Sequence, residues 1–200
     1  MNEQIELLPV HVVDDDESVR ESLSFMLEEH GFTVNDFEDG QAFLEGVDNQ
    51  LAGCVILDSR MPNLRGQQVH QILKQARSPL AVIYLTGHGD VPMAVDALQS
   101  GAVNFFQKPV KGDELCQAIR QGLVQSLANL EISSAQSAYD SLTQREQDIL
   151  RLIVEGKRNM RIADELCIAV RTVEVHRANL LKKFSSKTVA ELAYIYGKLG

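Results

Sequence analysis

The sequence predicts an α/β domain, a doubly wound five-stranded parallel sheet, followed by a smaller all-α helix-turn-helix domain. Three observations carry this reading. Short apolar runs alternate with helical patterns over roughly the first 125 residues, a comfortable size for one such domain. That alternation implies parallel strands, right-handed crossovers and helices on both sheet faces. Four of the runs end on polar residues of distinctive chemistry, and after residue 141 only helical periodicity remains.

The first run, Val10-His11-Val12-Val13, leads into Asp14-Asp15-Asp16. A helix follows, with Val19, Leu23, Met26 and Leu27 at helical spacing, Asp16 suited to cap it and Gly31 as its stop. Residues 32–37 alternate as a strand, and 40–47 form a short helix carrying Phe43 and Leu44. Cys54-Val55-Ile56-Leu57 is the third strand and stops at Asp58. After a loop marked by Pro62 and Gly66, Val69, Ile72 and Leu73 mark a helix. Residues 80–85 are the fourth strand, stopping at Thr86. Met93, Val95, Ala97 and Leu98 mark the next helix, closed by Gly101. Residues 103–107 run into Lys108-Pro109, and a last helix carries Leu115, Ile119, Leu123 and Leu127.

These elements make one domain over 1–128. The Ser/Ala/Gln-rich stretch 129–141 reads as a linker, its start able to continue the last helix. In the domain over 142–200, Thr143 and Glu146 form a capping box. Ile149, Leu150, Ile153 and Val154 supply that helix's buried face and Gly156 ends it. Ile162, Ala163 and Leu166 mark a second helix. A third runs from near Val170 to about Phe184, and a fourth over about 188–198.

Charge separates the two parts. Residues 142–200 hold 11 Lys/Arg against 7 Asp/Glu, net +4, whereas residues 1–141 hold 8 against 21, net −13. An acidic part joined to a basic tail suggests two jobs, with nucleic acid a candidate partner for the tail. No apolar run approaches the ~20 residues that span a bilayer. The start, Met1 to Glu6, is acidic rather than the basic opening of a secretory signal, so no membrane association and a cytoplasmic location are expected. Cys54, Cys116 and Cys167 form no metal or redox motif and are expected as buried thiols.

In an open parallel sheet, ligands bind at the carboxyl ends of the strands. Asp14, Asp15, Asp58, Thr86 and Lys108 should therefore converge. Carboxylates for a divalent ion, a nucleophilic carboxylate, a hydroxyl and an ammonium together suit phosphoryl transfer.

Residues 8–128 resemble a response-regulator receiver domain. The likeness rests on Val13-Asp14-Asp15-Asp16, Asp58-x-x-Met61-Pro62, residues 86–94 (Thr-Gly-His-Gly-Asp-Val-Pro-Met-Ala) and Lys108-Pro109. The 86–94 stretch particularly resembles the FixJ branch of the NarL/FixJ regulators. The resemblance implies Asp58 as phosphoacceptor. It implies Mg²⁺ held directly by Asp15, through water by Asp14, and by Asp58 and the Arg60 carbonyl. Lys108 and Thr86 would bind phosphoryl oxygens, and Phe105 would be the switch aromatic that turns into the space Thr86 vacates. Core packing is the alternative for Phe105 and Phe106, which strand alternation puts on opposite faces. A cis Lys108–Pro109 bond is also implied. Arg60 and His88 stand at positions that influence acyl-phosphate hydrolysis in the family.

Residues 142–200 resemble the LuxR-type helix-turn-helix. The matched residues are Leu142-Thr143-x-Arg145-Glu146, Gly156, Ile162-Ala163-x-x-Leu166 and Thr172-Val173-Glu174-Val175-His176-Arg177-x-Asn179. Met160 and Ala169 replace the family's usual Lys and Ser, which puts a phosphate contact and a cap in question. At 3.6 residues per turn, Val173, His176, Leu180 and Phe184 share the core side. Arg171, Val175, Ala178 and Lys182 lie opposite, flanked by Glu174 and Asn179, and should enter a major groove, with Thr172 and Lys183 further expected DNA contacts. Val175 suits a thymine methyl, Glu174 a cytosine amino group and Asn179 an adenine edge. Lys182, Lys183 and Lys187 suit phosphates.

Together these imply a phosphorylation-controlled transcriptional regulator, with activation the expected direction. Its partners would be a sensor histidine kinase, double-stranded DNA, a second copy on phosphorylation, and RNA polymerase. An aspartyl-phosphate phosphatase is the enzymatic rival. Such families place a second acid two positions after the nucleophile, where this chain has Arg60. A phospho-switched protein-binding module is the other rival.

Overall fold

Five strands form one parallel sheet in the computed structural model, which describes residues 7–87 and 91–199. The strands are β1 (Pro9–Val13), β2 (Thr33–Phe37), β3 (Cys54–Leu57), β4 (Ala81–Thr86) and β5 (Asn104–Gln107), in the order β2-β1-β3-β4-β5. Alternating helices are α1 (Glu17–Glu29), α2 (Gly40–Gly46), α3 (Gly66–Gln75), α4 (Val91–Gln99) and α5 (Gly112–Asp140). The doubly wound expectation holds. Val10, Val12, Cys54, Ile56, Ala81, Ile83 and Leu85 pack on one sheet face against Leu23 and Leu27 of α1 and Leu115, Ile119 and Leu123 of α5. Val13, Val55, Leu57, Val82 and Tyr84 pack on the other against Phe43 of α2, Val69 and Leu73 of α3, and Ala97 of α4.

β3 and β4 are buried at every residue, because helices cover both faces, and this explains their unbroken apolar sequences. Asp16 caps α1, accepting hydrogen bonds from the Ser18 amide (3.0 Å) and hydroxyl (2.7 Å). Of the apolar residues that mark α4, only Ala97 is fully buried. Val91, Val95 and Leu98, spaced as one stripe, are exposed.

The chain divides into two units, Met1–Leu130 and Glu131–Gly200. The expected linker is helical, since α5 continues to Asp140, with residues 131–140 in the second unit. Small residues did what large ones usually do: Ala135 is buried, and Ala138 and Tyr139 pack on the second unit's core.

That unit holds α6 (Gln144–Val154), α7 (Asn159–Leu166), α8 (Val170–Lys183) and α9 (Val189–Gly197). Ile149, Leu150, Ile153, Ile162, Val173, Leu180, Phe184 and Leu192 form its centre. The capping box is present: the Thr143 hydroxyl accepts from the Glu146 amide (3.3 Å) and the Glu146 carboxylate accepts from the Thr143 amide (2.9 Å). Val154 lies at the edge, 36% exposed, and Leu152 takes the buried place expected of it. Cys54 and Cys116 are buried, and burial pushes the Cys54 thiol up to about 12. Cys167 is exposed, contrary to expectation, because it forms the left-handed turn (φ 52°) that ends α7.

His11, 3% exposed in β1, sits among Phe37 and Phe43, and neither ring nitrogen has a hydrogen-bond partner among the described residues. Burial lowers its pKa from 6.5 to about 4. The unfolded chain therefore binds the extra proton first. Stability should be fully present above pH 6.5 and fall as pH drops toward about 4, by up to about 3 kcal/mol. His11→Leu should flatten this part of the acid limb in urea titrations taken at successive pH values.

Candidate functional site

The strand register brings the predicted residues to one edge. Val13 pairs with Leu57, Leu57 with Tyr84, and Thr86 with Gln107, so the carboxyl ends of β1, β3, β4 and β5 finish nearly level. Backbone pairing continues past the strands: Asp58 N–H donates to the Val13 carbonyl (2.9 Å) and Lys108 N–H to the Thr86 carbonyl (2.9 Å). Asp14, Asp58 and Lys108 thus emerge together.

Asp14 and Asp58 are 3% and 6% exposed, burial that carboxylates tolerate only with a compensating partner. Lys108 provides it. Its ammonium donates to Asp14 Oδ2 in a close ion pair and lies 3.7 Å from Asp58 Oδ1. Burial raises the Asp14 pKa, and the Lys108 hydrogen bond and charge oppose that rise. Asp58 Oδ2 accepts from the Arg60 amide (3.0 Å), while Asp58 Oδ1 is buried without a hydrogen-bond partner among the described residues. The Lys108–Pro109 peptide is cis, as expected.

Asp15 is exposed, and among the described residues no three acidic, His or Cys side chains gather as a metal cluster. The expected acidic triad is therefore a buried pair with a third carboxylate at the rim. This set still fits Mg²⁺, which prefers oxygen ligands and keeps several waters. The buried Asp58 Oδ1, without a hydrogen bond among the described residues, is the atom that such an ion would satisfy.

Thr86 is 1% exposed and its Oγ1 lies 2.6 Å from Ser59 Oγ. Phe105 and Phe106 are both half-buried and face opposite cores, Phe105 the α3/α4 side and Phe106 the α1/α5 side. Phe105 pairs in register with Tyr84, whose ring centroid is 6.0 Å away. His88 lies outside the described residues.

Three contributors escaped the sequence reading. Ser59 is one, hidden beside Asp58. Gly66 is another: a Cβ there would come within 2.3 Å of the Asp58 carbonyl oxygen, so only glycine lets the loop close on the site. Arg20 is the third, only 12% exposed in its side chain. It donates to the Asp14 carbonyl (2.9 Å) and to Asp36 (3.3 Å), fixing the turn after β1. Nothing in the α1 pattern separates Arg20 from a solvated arginine.

In the second unit, Val173, Leu180 and Phe184 are buried and His176 is half-buried, as the periodicity requires. Arg171, Thr172, Glu174, Val175, Ala178, Asn179, Lys182 and Lys183 form the outward side. Ala169 precedes α8 without a side-chain cap, as its substitution for Ser implied. Two of the cations have partners: Arg171 pairs with Glu174 (2.9 Å), and Lys183 donates to Glu146 (2.8 Å) and the Ser141 carbonyl (3.2 Å). Lys183, one of the expected phosphate contacts, also ties α8 to the start of α6. Its hydrogen bond is the main reason that the Glu146 pKa is lowered.

Comparison with known proteins agrees with both halves. Residues 10–120 match the response regulator receiver domain family, and residues 140–196 match the bacterial regulatory proteins of the luxR family. The tetrathionate response regulatory protein TtrR of Salmonella typhimurium is 43% identical over 190 residues, covering 95% of this chain and 92% of that protein. The transcriptional regulatory protein FixJ of Bradyrhizobium diazoefficiens is 37% identical over 195 residues, covering 96% and 95%. Among solved structures, the response regulator StyR aligns with a TM-score of 0.67 at 38% identity, over 96% of this chain and 99% of that one. Full-length FixJ from B. japonicum aligns with a TM-score of 0.57 at 38% identity, over 96% and 97%. With a receiver domain followed by a DNA-binding helix-turn-helix, this chain belongs to the LuxR-type response regulators, the transcriptional regulators of two-component systems.

Proposed function

We propose that Asp58 is the phosphoacceptor and that its phosphorylation by a sensor histidine kinase switches the chain's activity on DNA. The observation that carries this is a buried carboxylate with one oxygen that no described residue hydrogen-bonds, facing an ammonium and a second carboxylate. An Asp58 oxygen attacks phosphorus, the P–N bond of a phosphohistidine breaks, and the imidazole leaves with the electron pair. Lys108 stands 3.7 Å from Asp58, where its charge stabilises the transferred phosphoryl oxygens as a point charge. Arg60 N–H, bonded to the other Asp58 oxygen, orients the nucleophile. Asp15, Asp58, the Arg60 carbonyl and, through water, Asp14 would hold Mg²⁺, the ion receiver domains typically use, which would neutralise charge between nucleophile and phosphoryl group.

Thr86 then turns toward the phosphoryl group and Phe105 follows into the space it leaves, altering the surface around α4 and β5. The exposed Val91, Val95 and Leu98 stripe gives a second copy an apolar surface there. Paired copies place two α8 helices on half-sites of a roughly palindromic DNA sequence. In this reading Asn179, Val175 and Glu174 read bases, and Arg171, Thr172, Ala178 and Lys182 approach the groove and backbone. The receiver module corresponds to 1–128 and the DNA-binding module to 142–200. Activation through RNA polymerase in the cytoplasm is the expected outcome. No helix among the described residues is long and apolar enough to cross a membrane.

Asp58→Asn should abolish labelling by a radioactive small acyl-phosphate donor in Mg²⁺, and labelling at the wild-type level would end the assignment. In fluorescence anisotropy against a specific and a scrambled duplex, Asn179→Ala should lose about 1–3 kcal/mol on the specific site only. Lys182→Ala should weaken both duplexes alike.

A further inference from the structure

We propose that Ser59 is a positioning residue of the switch, whose hydroxyl holds Thr86 away from the phosphoryl position and so sets how readily occupation of Asp58 converts the receiver. This rests on the reading of Asp58 as phosphoacceptor and Thr86 as the phosphoryl-binding hydroxyl.

The two hydroxyl oxygens are 2.6 Å apart, and both residues are 1% exposed. Twenty-seven positions separate them in the chain, so the bond is a tertiary one between the loop after β3 and the end of β4. A hydroxyl has one proton to give and two lone pairs, and at 1% exposure the bond to Thr86 satisfies the Ser59 hydroxyl. The Ser59 backbone has little room to follow Thr86. It adjoins Asp58, whose amide is tied to Val13, and a Cβ on Gly66 would already lie 3.3 Å from the Ser59 Cα.

The direction of the effect follows from where the bond exists. With Thr86 at rest, Ser59 and Thr86 bond each other. When Thr86 turns to a phosphoryl oxygen, Thr86 gains a new acceptor and Ser59 is left with a buried hydroxyl short of its partner. Removing the Ser59 hydroxyl therefore weakens the resting arrangement, because the Thr86 hydroxyl loses a bond. It also relieves the switched arrangement, because no orphaned hydroxyl is left behind. Both changes favour switching. A ligand that binds the switched form gains apparent affinity in proportion to the population of that form.

The test uses full-length protein and beryllofluoride, a phosphoryl mimic, in Mg²⁺. Half-saturation is read from amide chemical shifts. Ser59→Ala should bind roughly 2- to 10-fold tighter than wild type, the span expected from one hydrogen bond. Ser59→Thr, which keeps the hydroxyl, should behave as wild type. The gain from Ser59→Ala should vanish in a Thr86→Ala background, because there is then no bond to remove. Equal or weaker binding by Ser59→Ala overturns the proposal, and so does an undiminished gain in the Thr86→Ala background. If Ser59→Ala does not fold, Ser59→Cys, similar in size but a weak donor and acceptor, is read by the same criteria. Wild type that fails to bind, or Asp58→Asn that binds equally, would overturn the phosphoacceptor reading instead.

Discussion

Two carboxylates sunk beside one ammonium set the terms for this receiver. Asp14 and Asp58 come from strands 44 positions apart in the chain, and Lys108 from a third. In water such a trio is worth little. At 3% and 6% exposure the two acids are sheltered from water and share one cation, and breaking a buried pair by removing one partner typically costs about 3–5 kcal/mol. The sheet serves that geometry. The register of its strands brings their tips level, and the ladder bonds to the Val13 and Thr86 carbonyls carry that register one residue beyond the strand ends.

The parts of the site that rest on local pattern were legible before any coordinates. An apolar run stopped by an acid, a hydroxyl or a lysine marks a strand tip, because a strand covered on both faces has nowhere to put a polar residue until it leaves the sheet. Alternation assigned Phe105 and Phe106 to opposite faces, and so they lie. The capping residues Asp16 and Thr143 bond as their positions implied.

What escaped is tertiary in origin. Ser59 means nothing until β4 lies beside β3, and Arg20 looks like any surface arginine until its guanidinium is seen on the Asp14 carbonyl. Residues 129–141 suggest a linker because they hold few large apolar residues. Ala135, Ala138 and Tyr139 nevertheless find a core to pack on, and the helix runs on to Asp140. Leu152 and Val154 stand at opposite margins of their helix's apolar arc, and it is the Leu152 margin that is buried.

The Lys183–Glu146 pair carries a consequence for how this domain responds to electrolyte. The ionic-strength dependence of a protein–DNA complex counts the counterions that the protein's cations displace from the phosphates. An ammonium already neutralised by a carboxylate of its own fold displaces fewer. A tally of basic residues along α8 therefore overstates how steeply added salt should loosen this regulator from its operator.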